Sequence, residues 1–242
     1  MDISINNSSL ENRLLAALPE EDFQRIAPYL IEVSLSLGQI LQEPREKVET
    51  VYFPTNSMIS LVSIMEDGST VEVGIIGNDG MLGYPVYLGG GYSHTRAIVQ
   101  IEGTALQLDG AILKSEFNRG NFFQRLLLLY TQAFLAQVTQ TAACNRFHPA
   151  EERLARWLLQ SQDFAGCETL NLTQEFLSSM LGIRRASVTV AAGTLQQAGM
   201  IRYNRGKITI LDRDALEATT CECYHIVRRE YDRLLGLLVD EL

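Results

Sequence analysis

The stretch from Leu170 to Leu211 constrains the fold more than any other part of the chain, because its signals follow one another in a fixed order. Residues 173–181 have the apolar spacing of a short helix. Gly182 follows where a sharp turn needs a residue without Cβ strain, and a second helix begins near Arg184. Asn204-Arg205-Gly206 then predicts a tight hairpin. Helix, glycine turn, helix and hairpin together predict a winged helix-turn-helix.

The second of these helices carries an unusual first turn. Its predicted inner face is an apolar stripe of Val188, Ala191, Ala192 and Leu195. Arg184 and Arg185 stand at its start, where the helix dipole is positive and each cation costs a few tenths of a kcal/mol. A solvated first turn would favour Asp or Glu, whereas a bound polyanion offsets the cost. DNA-reading helices present such residues to base edges in the major groove, where Arg can pair with guanine.

The predicted DNA contacts lie on both helices and on the hairpin. Thr173 is a plausible N-cap of the first helix, and Arg205 and Lys207 at the hairpin suit contact with phosphates. The full set is Thr173, Gln174, Arg184, Arg185, Ser187, Thr189, Arg205 and Lys207. A small winged helix that binds another protein is the alternative interpretation of this motif.

The charge distribution supports a DNA partner better than the total charge does. The chain has a net charge of −9, which by itself argues against nucleic acid. Residues 184–213, however, hold six basic residues and a single acid, whereas residues 1–144 hold 8 basic and 16 acidic residues. A basic island can be the electrostatic footprint of a DNA site, although a charge cluster is more often a solvated face.

The N-terminal part changes from helical to strand-like character. Residues 7–30 have helical spacing, and the next part consists of short alternating or β-branched runs separated by Gly- and Asn-rich turns. The predicted strands cover residues 31–36, 50–53, 58–65, 70–76, 97–101 and 105–108. Short strands at even spacing favour an antiparallel β-roll or barrel.

A long helix is predicted from Phe122 to Cys144, a stretch without Pro or Gly. One apolar stripe, which we expect to mediate dimerisation, consists of Phe123, Leu127, Tyr130, Phe134 and Val138. Further leucines add a second apolar side, so the helix must be covered on two sides. The β-roll is one cover, and the C-terminal domain or a second copy of the helix is the other.

Three segments follow from these patterns, with an α+β fold overall. Pro149 suits the first turn of a new helix, and we place a boundary near Asn145. The predicted organisation is a β-roll over residues 1–118, a long dimerisation helix and hinge over 119–145, and a winged helix-turn-helix domain with a C-terminal helix over 146–242.

The remaining residue types indicate no catalytic, metal or membrane role. Cys144, Cys167, Cys221 and Cys223 match the spacing of neither a zinc module nor a disulfide framework, and the three histidines are scattered, so we expect free thiols, no metal and no cofactor. No nucleophile elbow, Walker loop or dinucleotide fingerprint occurs, so no enzyme is predicted. The chain lacks an apolar run of membrane-spanning length and a secretory signal, which favours a cytoplasmic protein without membrane partners.

Four segments of the C-terminal third resemble the Crp/Fnr family of transcription regulators: Leu172–Leu177, Met180–Val190, Gly199–Ile201 and Arg205–Glu217. The preceding order of β-roll, long helix and hinge is also similar to that family. The resemblance implies a β-roll of the cyclic-nucleotide-binding type, a homodimer formed through the long helix, and recognition of a two-fold operator in duplex DNA. RNA polymerase would be a further partner of an activator.

The sequence departs from the family pattern in the recognition helix. Family members often carry Arg-Glu near its start and another Arg one turn later. Arg185 matches the first Arg, but Ala186 and Val190 stand at the other two positions. The DNA sequence read by this chain is therefore expected to differ from that of the cAMP-responsive members.

A second departure lies in the effector pocket that the resemblance implies, which comprises Gly80, Met81, Thr95 and Arg96. Cyclic-nucleotide binders of the family carry Gly-Glu for the ribose and Arg-Ser or Arg-Thr for the phosphate. Met81 cannot accept a hydrogen bond from a ribose hydroxyl, and Thr95 and Arg96 stand in reversed order. We expect no response to cAMP and an unknown effector, the alternative being a cyclic-nucleotide sensor with an atypical pocket. An N-terminal iron–sulfur cluster is not expected, since no cysteine precedes Cys144.

Overall fold

Seven strands build the N-terminal half in the computed structural model, which describes residues 11–166 and 169–236. They are β1 (Ile31–Leu35), β2 (Ile40–Gln42), β3 (Thr50–Pro54), β4 (Met58–Ile64), β5 (Thr70–Ile76), β6 (Arg96–Ile101) and β7 (Gly103–Asp109). They form one sheet of order β1-β7-β3 and a second of order β2-β6-β4-β5, with antiparallel pairing throughout. The predicted antiparallel β-roll is confirmed. Strand β2 was not predicted, because its three residues show no clear alternation and are held by pairing with β6.

Two short helices precede the roll, α1 (Arg13–Ala16) and α2 (Glu20–Ile26), followed by a 3-10 turn at Ala27–Tyr29. The buried Asn12 caps α1 by accepting hydrogen bonds from the backbone of Leu14 and Leu15. Its amide donates to the carbonyl oxygens of Pro54 and Gly80 at 2.8 and 2.9 Å. One side chain thus ties the helical segment to the roll. The first residues of the predicted helical stretch, 7–10, lie outside the described part.

The roll is followed by the long helix predicted from the sequence. After α3 (Pro85–Leu88) and α4 (Gly110–Phe117), helix α5 extends over 26 residues, from Phe122 to Phe147. It therefore continues past the boundary expected near residue 145. The helix stops before His148, which has an extended backbone, because Pro149 disfavours helical geometry in the residue before it.

The C-terminal part contains the elements expected of a winged helix-turn-helix. They are α6 (Ala150–Ala165), β8 (Thr169–Asn171), α7 (Gln174–Leu181), α8 (Arg185–Gln197), β9 (Ile201–Asn204), β10 (Lys207–Ile210), α9 (Arg213–Thr219) and α10 (Cys223–Gly236). The three strands form an antiparallel sheet of order β8-β10-β9. Within the described ranges, no helix is both long enough and apolar enough to cross a lipid bilayer.

Each half contributes side chains to the core of the other. The core of the roll includes Tyr231 and Leu234 of α10, which packs along α5. The core of the C-terminal part includes Met58 of β4 and Ile75 of β5. The two parts therefore share apolar contacts in addition to the covalent connection at the end of α5.

A buried carboxyl group lies at the junction of the two parts. Glu72 of β5 is 3% exposed, and its side chain accepts a hydrogen bond from the indole N–H of Trp157 on α6 at 3.0 Å and another from the Ser60 hydroxyl. Burial raises the pKa of Glu72 from 4.5 to about 7, against the opposing effect of these hydrogen bonds and of Arg156. The folded state thus holds a proton on Glu72 that the unfolded chain releases at lower pH.

Glu72→Gln should therefore remove a pH-dependent loss of stability. A carboxyl group whose pKa is raised on folding destabilises the folded state progressively as pH rises from about 4.5 to above about 7. The glutamine keeps an acceptor for Trp157 without ionising. We compare the free energy of unfolding of the variant with that of the wild type. The difference in favour of the variant should be larger at pH 8.5 than at pH 5, by on the order of 1–3 kcal/mol. Thermal unfolding across this pH range measures the difference.

The matched control is Glu46→Gln, which changes an exposed carboxyl group of the roll. Its pH profile of unfolding should follow that of the wild type. Parallel profiles for Glu72→Gln and the wild type would contradict the assignment of an ionising group at this junction.

Candidate nucleic-acid interface

Helices α7 and α8 are held at a fixed angle by a glycine turn. The Thr173 hydroxyl caps α7 by accepting a hydrogen bond from the Phe176 amide at 3.1 Å, as predicted. Gly182 ends α7 with a φ of +59°, a left-handed conformation in which a Cβ would also lie 2.9 Å from Val71 of β5. Ser178 fastens the turn, because its hydroxyl donates to the carbonyl oxygen of Ile183 at 2.6 Å.

Helix α8 is buried on one face and open on the other. The predicted inner stripe is confirmed, since its four residues are at most 2% exposed: Val188, Ala191, Ala192 and Leu195. Arg184 occupies the N-cap position, and Arg185 is the first helical residue. Both arginines, Ala186 and Thr189 are exposed, while Ser187 is half-buried. The outer face therefore presents two cations, a hydroxyl group and small side chains to solvent.

The hairpin turn contains only Arg205 and Gly206, since Asn204 pairs with Lys207 across the ladder. Both turn residues have positive φ, 47° for Arg205 and 76° for Gly206, as a type I′ hairpin turn requires. The Gly206 carbonyl oxygen accepts a hydrogen bond from the Leu172 amide at 2.7 Å. This contact fixes the hairpin, or wing, beside the start of α7.

Predicted contact residues from all three elements line one groove. Arg185 donates from Nε to the side-chain oxygen of Gln174 at 3.3 Å, which links the N-termini of α8 and α7. The groove is lined by Thr173, Gln174, Arg185, Tyr203, Arg205 and Gly206. Tyr203 was not predicted. Its hydroxyl donates to the Leu172 carbonyl oxygen at 3.0 Å, and partial burial raises its pKa.

The cations of this face differ from Arg213, which belongs to the same basic island in the sequence. Arg213 pairs with Asp163 at 2.7 Å and donates to the Tyr224 hydroxyl, so its charge is used within the fold. Among the described residues, no ion pair involves Arg184, Arg185, Arg205 or Lys207. Their charges are available to an external anion.

The residues expected to form a dimer seam are buried inside the chain instead of lying on its surface. Phe123, Leu127, Tyr130 and Phe134 are buried in the core of the roll, at most 7% exposed, and Val138 packs against the same core. The difference arises because the roll covers this stripe within a single chain. The exposed residues of α5 include instead Leu128, Gln132, Leu135, Thr139 and Ala142, with Arg125 before them and Arg146 and Phe147 after them.

The residues assigned to an effector pocket are buried in the roll or paired with other side chains of the chain. Met81 is 0% exposed within the core of the roll, and Thr95 is 2% exposed. Gly80 faces the Tyr130 ring, which a Cβ at residue 80 would approach to 2.8 Å. The Arg96 guanidinium forms an ion pair with Glu43 at 2.9 Å.

A cluster of cysteine and histidine side chains was missed by the sequence analysis. Cys144, His148, Cys221 and Cys223 each place a ligand atom within 4.8 Å of the others. A hydrogen bond from the Cys221 thiol lowers the pKa of Cys144, and the same contact raises the pKa of Cys221. Spacing along the chain could not reveal the cluster, because its two halves are more than seventy residues apart. Cys167 lies outside the described residues.

The comparisons agree with this arrangement. Residues 152–219 match the family model of the Crp-like helix-turn-helix domain. No curated protein sequence matches the chain.

Solved structures show the same fold over most of the chain. FixK2 from Bradyrhizobium japonicum superimposes with a TM-score of 0.66 at 16% identity, over 79% of this chain and 98% of its own. A CRP-family transcriptional regulator from Thermus thermophilus gives 0.65 at 17% identity, over 77% and 95%. The c-di-GMP-responsive global regulator CLP of Xanthomonas campestris gives 0.64 at 12% identity, over 79% and 99%. The resemblance predicted from the sequence is confirmed: the chain has the fold of the Crp/Fnr family of transcription regulators and carries a Crp-like helix-turn-helix domain.

Proposed function

We propose that the chain is a homodimeric transcription regulator that binds a two-fold operator in duplex DNA through α8 and the wing. The observation that carries this proposal is an exposed face on which Arg185 of α8 and Arg205 of the wing, neither of them in an ion pair with a described residue, lie beside the polar N-terminus of α7. No enzymatic activity is proposed.

The start of α8 is suited to read base edges. Arg185 stands at the first helical position, where recognition helices approach bases, and its guanidinium can form two parallel hydrogen bonds to guanine. The contact with Gln174 orients this side chain before DNA binds. Ala186 and the small residues further along have short side chains, which allow the helix to approach the base edges in the major groove of DNA closely. Thr189 and Ser187 are then available for phosphate or base contacts.

The wing and the N-terminus of α7 are suited to hold the DNA backbone. Arg205 lies in the turn of the hairpin and Lys207 directly follows that turn, and neither has an acidic partner among the described side chains. Thr173 and Gln174 lie at the N-terminus of α7, where free backbone N–H groups and the helix dipole attract phosphate. Because the rest of the chain is acidic, its field directs a duplex to this basic face.

The exposed stripe of α5 is the surface that we assign to the second copy of the chain. Its members recur at alternating intervals of four and three residues, which is the spacing of a coiled-coil seam: Leu128, Gln132, Leu135, Thr139 and Ala142. Leu128 and Leu135 are 47% and 60% exposed. Pairing of two α5 helices buries these leucines and would set the two α8 helices about 34 Å apart, one turn of DNA.

We propose that the roll does not respond to cAMP. Arg96 is neutralised by Glu43, and the Met81 side chain fills the core where the family's ribose-binding carboxylate would stand. The alternative is a cyclic-nucleotide sensor with an atypical pocket. Calorimetric titration with cAMP and cGMP separates the two, because saturable heat with either nucleotide would support the alternative.

Arg185→Ala should reduce sequence discrimination. We expect a loss of about 1–3 kcal/mol that is confined to one base position in each half-site, because a bidentate contact to one base is removed. Binding of wild type and variant to a randomised duplex library, followed by sequencing at two salt concentrations, measures this effect. An equal loss on all sequences would refute base reading by Arg185.

Lys207→Ala tests whether the wing contacts DNA. Unlike Arg185→Ala, it should weaken binding without changing the sequence preference. Loss of one phosphate contact should weaken binding to all sequences and reduce the slope of log affinity against log salt by about 1. Lys114→Ala, which removes an exposed cation from α4 on the roll, is the matched control and should leave both quantities unchanged. An unaltered slope in Lys207→Ala would exclude the wing from the interface.

Leu135→Asp should dissociate the proposed dimer. A carboxylate buried in the seam of two α5 helices would be desolvated without a partner, which costs several kcal/mol. Light scattering coupled to gel filtration should report a dimer for the wild type and a monomer for the variant. Leu88→Asp changes a leucine on α3 of similar exposure, 49%, and should remain dimeric. A dimeric Leu135→Asp would assign the seam to another surface.

A further inference from the structure

Two separate segments of the chain bring four metal-binding side chains together at the hinge. Cys144 lies in the last turns of α5, and His148 lies immediately after that helix. Cys221 lies in the connection between α9 and α10, and Cys223 is the first residue of α10. One ligand atom of each residue is within 4.8 Å of those of the other three. The three cysteines are buried, and His148 is half-buried.

Two distances within this Cys/His cluster match those between ligands of one tetrahedral ion. Cys144 Sγ and Cys221 Sγ are 3.6 Å apart, and Cys223 Sγ is 3.4 Å from His148 Nδ1. A tetrahedron with zinc–sulfur and zinc–nitrogen bonds of about 2.3 and 2.05 Å has edges of about 3.8 and 3.5 Å. A disulfide would require a sulfur–sulfur distance of about 2.05 Å, so the pair is not bonded.

The surroundings of the cluster orient its ligands. His148 directs Nδ1 to the cluster, while its Nε2 is 3.3 Å from a carboxylate oxygen of Glu222. This is the carboxylate–histidine–metal arrangement that fixes the tautomer of a metal-binding imidazole. The Gln140 side-chain amide donates to Cys223 Sγ at 3.1 Å. Both contacts are of the kind that holds ligands around a metal ion.

Two buried arginines provide charge compensation. Arg153 and Arg156 of α6 are 7% and 3% exposed, and the Nε of each has no hydrogen-bond partner among the residues that the structure describes. Both interact electrostatically with Cys144. Three thiolates and one neutral imidazole around a divalent ion carry a net charge of −1, which buried cations stabilise in a low-dielectric environment.

We propose that Cys144, His148, Cys221 and Cys223 bind a single zinc ion. Thiolate and imidazole ligands select zinc over magnesium or calcium, which prefer oxygen. An iron–sulfur cluster spreads its protein ligands over different iron atoms and needs wider spacing than this cluster has. The ion would join the end of α5 to the start of α10 and thereby fix the hinge before α6. This site is distinct from the DNA-binding face.

The first test is metal analysis of the full chain, purified under reducing conditions without chelators. Elemental analysis should find about one zinc per chain. Replacement of zinc by Co²⁺ should give the intense visible absorption of a tetrahedral site and thiolate-to-cobalt charge transfer. Neither measurement depends on DNA binding, so failure of one proposal leaves the other intact. Absence of zinc in the purified chain and after incubation with Zn²⁺ would overturn the site, as would iron with a cluster chromophore.

Variants then assign the ligands. His148→Ala and Cys223→Ser should lower zinc content to below about one tenth of an equivalent. His225→Ala is the matched control, since His225 also stands near a carboxylate, that of Glu217 at 3.8 Å, but outside the cluster. Full zinc retention in both ligand variants, or equal loss in the control, would contradict the assignment.

A conservative variant keeps the test valid if a ligand variant fails to fold. Glu222→Gln leaves all four ligands in place and removes only the carboxylate facing His148. In competition with a chromogenic chelator, its zinc dissociation constant should rise about 10- to 100-fold. An unchanged constant would contradict ligation through Nδ1 with Glu222 as the orienting partner.

Discussion

The packing of α5 joins the core of the roll to the C-terminal helix α10. One side of this helix is fixed in the core of the roll by Phe123, Leu127 and Tyr130, whose hydroxyl donates to the Met81 carbonyl oxygen at 2.9 Å. A second side is covered by α10, where the Gln137 amide contacts the Tyr231 hydroxyl at 3.3 Å. Only a narrow stripe remains exposed. The helix therefore packs against both the roll and α10 and still leaves one exposed surface for a partner helix.

The C-terminal part also contacts strand β5 of the roll at two points. Trp157 contacts the buried Glu72 of the roll, and Gly182 lies against Val71 of the same strand. The turn of the helix-turn-helix thus rests on β5. This contact connects the roll directly to the turn that precedes α8.

The Cys/His cluster occupies the other side of the same hinge. It joins residues at the end of α5 to residues at the start of α10, and α10 returns to pack on α5. Side-chain contacts therefore bring the end of α5 and the start of α10 together, in addition to the connection through the backbone. A bound ion would restrict the orientations available to the C-terminal domain, which reduces the entropy lost when it binds an operator.

Local sequence signals determined most of the secondary structure of this protein. Helix capping at Thr173, the left-handed turn at Gly182 and the hairpin at Arg205-Gly206 depend on neighbouring residues only, so the sequence predicts the helix-turn-helix and its outward arginines. The same holds for six of the seven strands of the roll and for the start of α5, whereas β2 depends on its pairing with β6.

Tertiary structure alone decided which face of α5 is covered, because both of its sides are apolar and periodicity cannot say which one meets the roll. It also decided that Arg213 pairs with Asp163 and that Arg96 pairs with Glu43. The Cys/His cluster is the clearest case. Cys144 and Cys221 become neighbours only because α10 folds back on α5, and a contact between residues so distant in the chain leaves no mark on local spacing.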